Sequence, residues 1–235
     1  MSNQMMNGQD RHSTHLAFVL VVSIFGLVIS GVSLRNLVSF VVVSGDRRVL
    51  MALAYDLVCI IGMAAVLFPV ACSKIVGVRG SLAQAPEQLG IRATEFLGVQ
   101  ILHGHHTSED SAKHELLITG KSFCATCYGL LTGAVLSFAI ITAFALSGWS
   151  GWADGSPACF LYCIGVAAVI TGLLQILTPD VGAKARFISA SVFVLGTSLI
   201  LLATDLLAAN LMSDLFIILL AVFWLLSRIS LSHRS

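Results

Sequence analysis

The stretch His103-Gly-His105-His106-Thr-Ser-Glu-Asp-Ser-Ala-Lys-His114, followed by Cys124-Ala-Thr-Cys127, gathers four of the chain's seven histidines and two of its six cysteines into one short region. Two cysteines separated by two residues reach one ion from a single turn, and zinc takes four thiolate or imidazole ligands in a tetrahedron. Cys124 and Cys127 supply one half of such a sphere. His114 with His105 or His106 supplies the other, and His103 is a further candidate. Soft donors of this kind argue for zinc, with iron or copper a poorer fit and calcium or magnesium mismatched. Four protein ligands would make the ion a staple that orders the loop; one position left to water would open hydrolytic chemistry. Glu109, Asp110 and Glu115 read as acids of a solvated loop, so no general base stands out. An alternative needs no metal. A thiolate at the start of a helix is stabilised by the helix dipole, which would poise Cys124 and Cys127 for thiol–disulfide exchange.

The elements that must position these groups are membrane helices. Of 235 residues, 57% are hydrophobic and only 11% charged, with a mean hydropathy of +0.94, whereas soluble chains carry about 25% charged residues. Crossing about 30 Å of hydrocarbon takes roughly 20 apolar residues. Six runs qualify, approximately Leu16 to Leu34, Leu50 to Cys72, Phe123 to Leu146, Pro157 to Leu177, Phe187 to Thr204 and Leu211 to Ser227. The first is read as a retained helix, because it is long and lacks a small-x-small cleavage site. The expected fold is therefore an all-α, polytopic membrane helical bundle of about six transmembrane helices. It divides into an N-terminal two-helix region (1–72), a loop with the histidine cluster (73–122) and a four-helix region (123–235).

Within the loop, Pro86-Glu-Gln-Leu predicts the start of a helix, with Leu89, Ala93, Phe96, Leu97 and Ile101 at helical spacing on one side. That helix would rest on the bilayer surface and end at Gly104. Glu115 to Cys124 reads instead as a short extended piece, a turn at Gly120 and a return to the membrane. Gly129, Gly133 and Gly196 suit close helix contacts, which fits a homo-oligomer or a subunit of a membrane complex as well as a bundle on its own.

Charge sets the expected orientation. Arg11, Lys74, Arg79, Arg92, Lys113, Lys121, Lys184, Arg186, Arg228 and Arg234 fall on one side of six spans, against Arg35, Arg47 and Arg48 on the other. Lysine and arginine in short loops favour the cytoplasm, so both termini and the His/Cys segment are expected there, in an inner or plasma membrane. Cytoplasmic thiols are normally kept reduced, which favours ligation or redox work over a permanent disulfide. Net charge +1 and a pI near 7.7 give no basic face for nucleic acid; the expected partner is the lipid bilayer.

Charge at bilayer depth is costly and marks function or a buried partner. Asp56 lies inside the second run, and with Gln175 it suggests a proton or cation pathway; Asp205 and Asp214 fall near helix ends, where water is close. Cys59, Cys72, Cys159 and Cys163 read as packing residues.

The string Ile118-Thr-Gly-Lys-Ser-Phe-Cys124-Ala-Thr-Cys127-Tyr-Gly129-Leu-Leu-Thr-Gly133 resembles the signature of an uncharacterised family of small polytopic membrane proteins, the domain of unknown function numbered 2085. That signature has a Cys-His pair, a glycine-containing loop and Cys-Ala-Arg-Cys-Thr-Gly leading into a helix. His105-His106 stand where the family has Cys-His, Thr171-Gly-Leu-Leu-Gln175 looks like its Asp-Gly-x-x-Gln, and Arg186-Phe-Ile-Ser with Gly196 looks like its Arg-x-x-Thr-Gly helix start. The resemblance covers roughly residues 103–196. It implies a site shared by the loop and the helix ends, with Gln175 and Arg186 on the same membrane face as the ligands. Three residues depart from the pattern: His105 replaces a cysteine, which keeps a ligand and loses a thiol, Thr126 replaces an arginine and Thr171 an aspartate. The family brings no activity with it.

Overall fold

The computed structural model describes residues 2–36, 45–67, 93–96, 99–102, 115–118, 121–147, 156–178, 181–208 and 210–232. They form six helices, α1 (Ser2–Asn36), α2 (Gly45–Leu67), α3 (Ala125–Ser147), α4 (Ser156–Leu177), α5 (Ala183–Ala208) and α6 (Leu211–Ser232). Two short hairpins precede α3, β1 (Ala93–Phe96) with β2 (Val99–Leu102) and β3 (Glu115–Ile118) with β4 (Lys121–Cys124). The expected helical membrane bundle is the architecture found. Four helices are long and apolar enough to cross a bilayer; α1 and α6 add shorter apolar stretches, Leu16–Val32 and Leu211–Ser227.

The hydrocarbon solvent explains the layout. Lipid tails are as apolar as leucine, so helices associate in a bilayer through close packing and buried hydrogen bonds rather than by escaping water. On α1 the two faces separate accordingly: Phe18, Val21, Ile24, Phe25, Val28 and Val32 face outward, while Val19, Ser23, Leu27 and Ser30 face the bundle. Trp224 Nε1 on α6 donates to Ser23 Oγ at 2.8 Å, and Tyr162 on α4 donates to the Leu27 carbonyl at 3.1 Å. These bonds tie α1 to the rest. Helix α5 is the hub: 61% of its apolar window is buried within the bundle, against 28–33% for α2, α3 and α4.

Small residues let α5 approach its neighbours at backbone distance. Gly129 and Gly133 of α3 meet Phe187, Ala190, Ser191 and Val194 of α5, and Gly165 of α4 faces Gly196 and Ile200. A Cβ at Gly133 would lie 2.7 Å from the Ser191 carbonyl oxygen, and one at Gly129 would collide with the Phe187 carbonyl. Ser191 Oγ donates to the Gly129 carbonyl at 2.9 Å, so the contact is bonded as well as close. The three glycines singled out in the sequence are thus spent inside the bundle. Contacts that advance together along α3 and α5 (Gly129 with Ala190, Gly133 with Val194, Ser137 with Ser198) make these helices parallel. Their first turns therefore lie side by side.

At the other end of the bundle, the start of α2 meets the end of α5 and the start of α6. Arg47 pairs with Asp205, Arg48 Nε lies 3.0 Å from Asp205 Oδ2, and Arg47 Nη1 lies 3.7 Å from Asp214 Oδ2. The Arg48 guanidinium also stands over the Phe144 ring of α3, 5.3 Å from its centroid. Asp205 and Asp214 have no exposed side-chain surface. This corrects two expectations: the arginines are helical and almost buried rather than loop charges, and the aspartates are shielded from water despite their place at helix ends. Asn210 caps α6, its Oδ1 accepting from the Met212 N–H at 3.0 Å, which brings Asp214 round to the arginines.

Two further differences concern local structure. The surface helix expected through Ala93, Phe96 and Ile101 gives way to the antiparallel pair β1–β2, with Ala93 opposite Leu102 and Phe96 opposite Val99. Thr94, Phe96, Val99 and Ile101 are β-branched or aromatic residues, which favour strands. The extended piece expected from Glu115 to Cys124 is found as β3 and β4, while Gly120, where the turn was expected, lies outside the described residues. Among the cysteines read as packing residues, Cys59 is buried, while Cys159 and Cys163 face outward from α4.

If α3 depends on backbone approach to α5, adding one methyl group at Gly129 must force the helices apart. Gly129→Ala is expected to destabilise the protein by about 1–3 kcal/mol, read as a lower thermal midpoint in detergent. Gly182→Ala, at a site with nothing within 4 Å of a new Cβ, should leave that midpoint unchanged.

Candidate metal and thiol site

The site begins where β4 becomes α3. In the β3–β4 register Glu115 stands opposite Cys124, and α3 starts at the next residue, Ala125. Cys124 therefore occupies the capping position of a membrane helix, where the first backbone N–H groups have no partner within the helix. The N–H groups of Thr126 and Cys127 donate to its sulfur. Cys127 follows one turn later on the same helix end, with its thiol hydrogen-bonded to Cys124.

These neighbours shift the acidity of Cys124. The hydrogen bond from the Cys127 thiol lowers it most; burial acts in the opposite direction, and the two backbone donors and the Arg186 cation lower it further. The result is a thiol pulled down to about 6, so that the thiolate predominates at neutral pH. Arg186 comes from the first turn of α5, where its Nε donates to the Val181 carbonyl at 2.8 Å. Tyr128 stacks on Phe187 with ring centroids 5.8 Å apart, fixing the two helix starts against each other just behind the thiols.

The sequence candidates sort clearly. Cys124, Cys127 and Arg186 are brought together at one end of the bundle. Gln175 is buried in the last turn of α4, next after the segment in which Gly172 meets Phe193, and so lies towards the α5 start. Asp56 lies elsewhere, on α2, where its Oδ2 accepts from Thr142 at 2.9 Å. His103, His105, His106 and His114 lie outside the described residues. Among the described residues, no three His, Cys, Asp or Glu side chains gather as a metal-holding group. The role of Arg186 as electrostatic neighbour of the thiol could not be read from spacing; the family resemblance, which set Arg186 on the same face as the ligands, was the signal for it.

The class defined by fold and site is a polytopic helical membrane protein with a paired thiol at one membrane face. No known family, curated protein or solved structure matches the chain. The likeness to the uncharacterised polytopic family rests on the residues quoted above.

A thiolate reacts with alkylating reagents and a thiol does not. The rate of Cys124 modification by iodoacetamide, followed by mass spectrometry in a Cys127→Ala background and in the otherwise native protein, should rise through a midpoint near 6 in the native protein. The midpoint should move up when the Cys127 donor is lost, and Arg186→Gln should move it up as well. A native midpoint in the ordinary thiol range would contradict the arrangement described.

Proposed function

We propose that the protein is a multi-pass membrane protein, of an inner or plasma membrane, that holds a zinc ion at its cytoplasmic face. Cys124 and Cys127 supply two thiolates, His114 and one of His105 or His106 supply imidazoles, and His103 is in reserve. The carrying observation is the hairpin register: Glu115, the residue after His114, stands opposite Cys124. A strand that begins one residue after His114 therefore runs beside Cys124, which supports ligation by that histidine together with two thiols that share one helical turn. Zinc binds thiolates, and the donors around Cys124 favour that form before any metal arrives. A four-ligand ion would staple the long segment before α3 to the membrane helices and give a short chain the order that a small core cannot. The positive loop charges support the cytoplasmic assignment of this face.

A second reading, membrane thiol–disulfide exchange, is favoured by one observation. Arg186 places a cation beside Cys124, which suits a nucleophilic thiolate better than a cation site. In that reading the Cys124 thiolate attacks a protein disulfide and releases one partner thiolate. Cys127 then displaces the second partner sulfur, leaving the partner reduced and Cys124–Cys127 oxidised. A cytosolic dithiol returns the pair to its reduced state.

Metal analysis of the purified full-length protein separates the two. The zinc reading expects one ion per chain, lost in Cys124→Ser and in His114→Ala. Metal-free protein in which Cys124 and Cys127 interconvert between dithiol and disulfide in a glutathione buffer would instead establish the exchange reading. Retention of zinc by both variants would rule out the proposed ligand set.

A further inference from the structure

The Cys124 sulfur combines donors, charge and cover. It accepts from the Cys127 thiol and from the N–H groups of Thr126 and Cys127, and the positive charge of Arg186 lies near it. Both cysteines are only partly open to solvent. Strand β4 runs directly into α3 at this residue, and β3, paired with β4, also lies against α5. Among the described residues, the other cysteines lie in membrane spans, Cys59 buried and Cys159 and Cys163 turned outward.

Partial cover selects the electrophile. Exchange with a protein disulfide passes through a mixed disulfide, so the partner chain itself must reach a sulfur that strand and helix already flank. A hydroperoxide brings only an O–O bond to the sulfur. Charge favours it as well. As that bond breaks, negative charge gathers on the departing oxygen, and a guanidinium beside the sulfur offsets it. A cysteine oxidised in this way goes on to irreversible products unless a second thiol resolves it first. Cys127 is one turn away and already in contact with Cys124.

We propose that Cys124 and Cys127 reduce hydroperoxides at this membrane face, either hydrogen peroxide or the hydroperoxides of lipid chains. The inference rests on the reading in which the pair works as a metal-free dithiol. In the first step the Cys124 thiolate attacks the terminal oxygen of the hydroperoxide. An S–O bond forms, the O–O bond breaks, and the departing oxygen takes a proton from water and leaves as water or an alcohol. Cys124 is then a sulfenic acid. In the second step the Cys127 sulfur attacks Cys124, an S–S bond forms and the S–O bond breaks. The hydroxyl leaves as water with the proton of the Cys127 thiol. Two electrons have passed from the sulfurs to the peroxide, and the cytosolic dithiol of the exchange reading restores the pair.

The test uses the full-length protein in phosphatidylcholine vesicles, reduced and treated with a chelator. Hydrogen peroxide and phosphatidylcholine hydroperoxide are added in separate arms, and the Cys124–Cys127 disulfide is followed by alkylation of the remaining thiols and mass spectrometry. With at least one of them the pair should oxidise about a hundredfold faster than free glutathione, a gain that Arg186→Gln should largely remove. The faster arm identifies the source, water or bilayer. In Cys127→Ala, dimedone should label Cys124 as the sulfenic acid. Rates no greater than those of glutathione in both arms, or no dimedone adduct, would overturn the proposal. A wild-type rate in Arg186→Gln would overturn the role of the charge; if that variant fails to fold, Arg186→Lys, which keeps the charge, should keep the rate, and its loss would count equally against that role. A third arm with glutathione disulfide separates the two readings. Oxidation there without fast oxidation by either hydroperoxide removes the peroxide step and leaves exchange standing, whereas no oxidation in any arm removes both.

Discussion

Backbone contact between α3 and α5 is the constraint on which the rest depends. Gly129 and Gly133 let the two helices meet at a separation that a single methyl group would prevent, and the Ser191 hydroxyl fixes the contact with a bond to the Gly129 carbonyl. Parallel packing follows from that pairing, so Cys124 at the head of α3 faces Arg186 at the head of α5. Without the glycines the cysteine pair would still cap a helix, but it would lose its cationic neighbour. Residues well inside the membrane therefore set the chemistry of the thiols at its surface.

The opposite end of the bundle is held by different means. Two arginines and two aspartates from α2, α5 and α6 come together largely buried, with Phe144 beneath one guanidinium. Removing one partner of such a group leaves an uncompensated buried charge, which costs about 3–5 kcal/mol. The cluster locks α2 and α6 to the central helix, and the hydrogen bonds from Trp224 and Tyr162 extend the lock to α1. Close packing at one end and charge at the other leave the middle of the bundle to hydroxyl groups, where Tyr55, Ser137, Thr197 and Ser198 meet.

The membrane helices were legible because hydropathy alone decides them: each expected run overlaps a helix. Helix ends were less so. Arg47 and Arg48 stand next to an apolar run, where charge counting assigns them to water, and their partner Asp205 is 158 and 157 positions away. No local pattern carries that information. The β1–β2 hairpin was missed for a related reason. Ala93, Phe96 and Ile101 fit a helical stripe, yet the same stretch is rich in residues that prefer strands, and tertiary context favoured the strand. The extended approach to α3 and the cysteine at the head of that helix were readable, since an extended run and a cysteine at a helix start each have a local physical signature. The imidazole half of the proposed ligand sphere lies outside the described residues.

Two neighbouring rods that point the same way do more than bring their heads together. Each helix carries about half a positive charge at its start and half a negative charge at its end, and in α3 and α5 these add instead of cancelling. Across the whole bundle the sum is small, because α2, α4 and α6 run the other way, but locally the adjoining starts of α3 and α5 set two positive helix ends side by side at the Cys124 sulfur. Sulfur thus sits where two helix starts together favour an anion, a local polarity that the fold sets before any ligand or partner reaches the thiols.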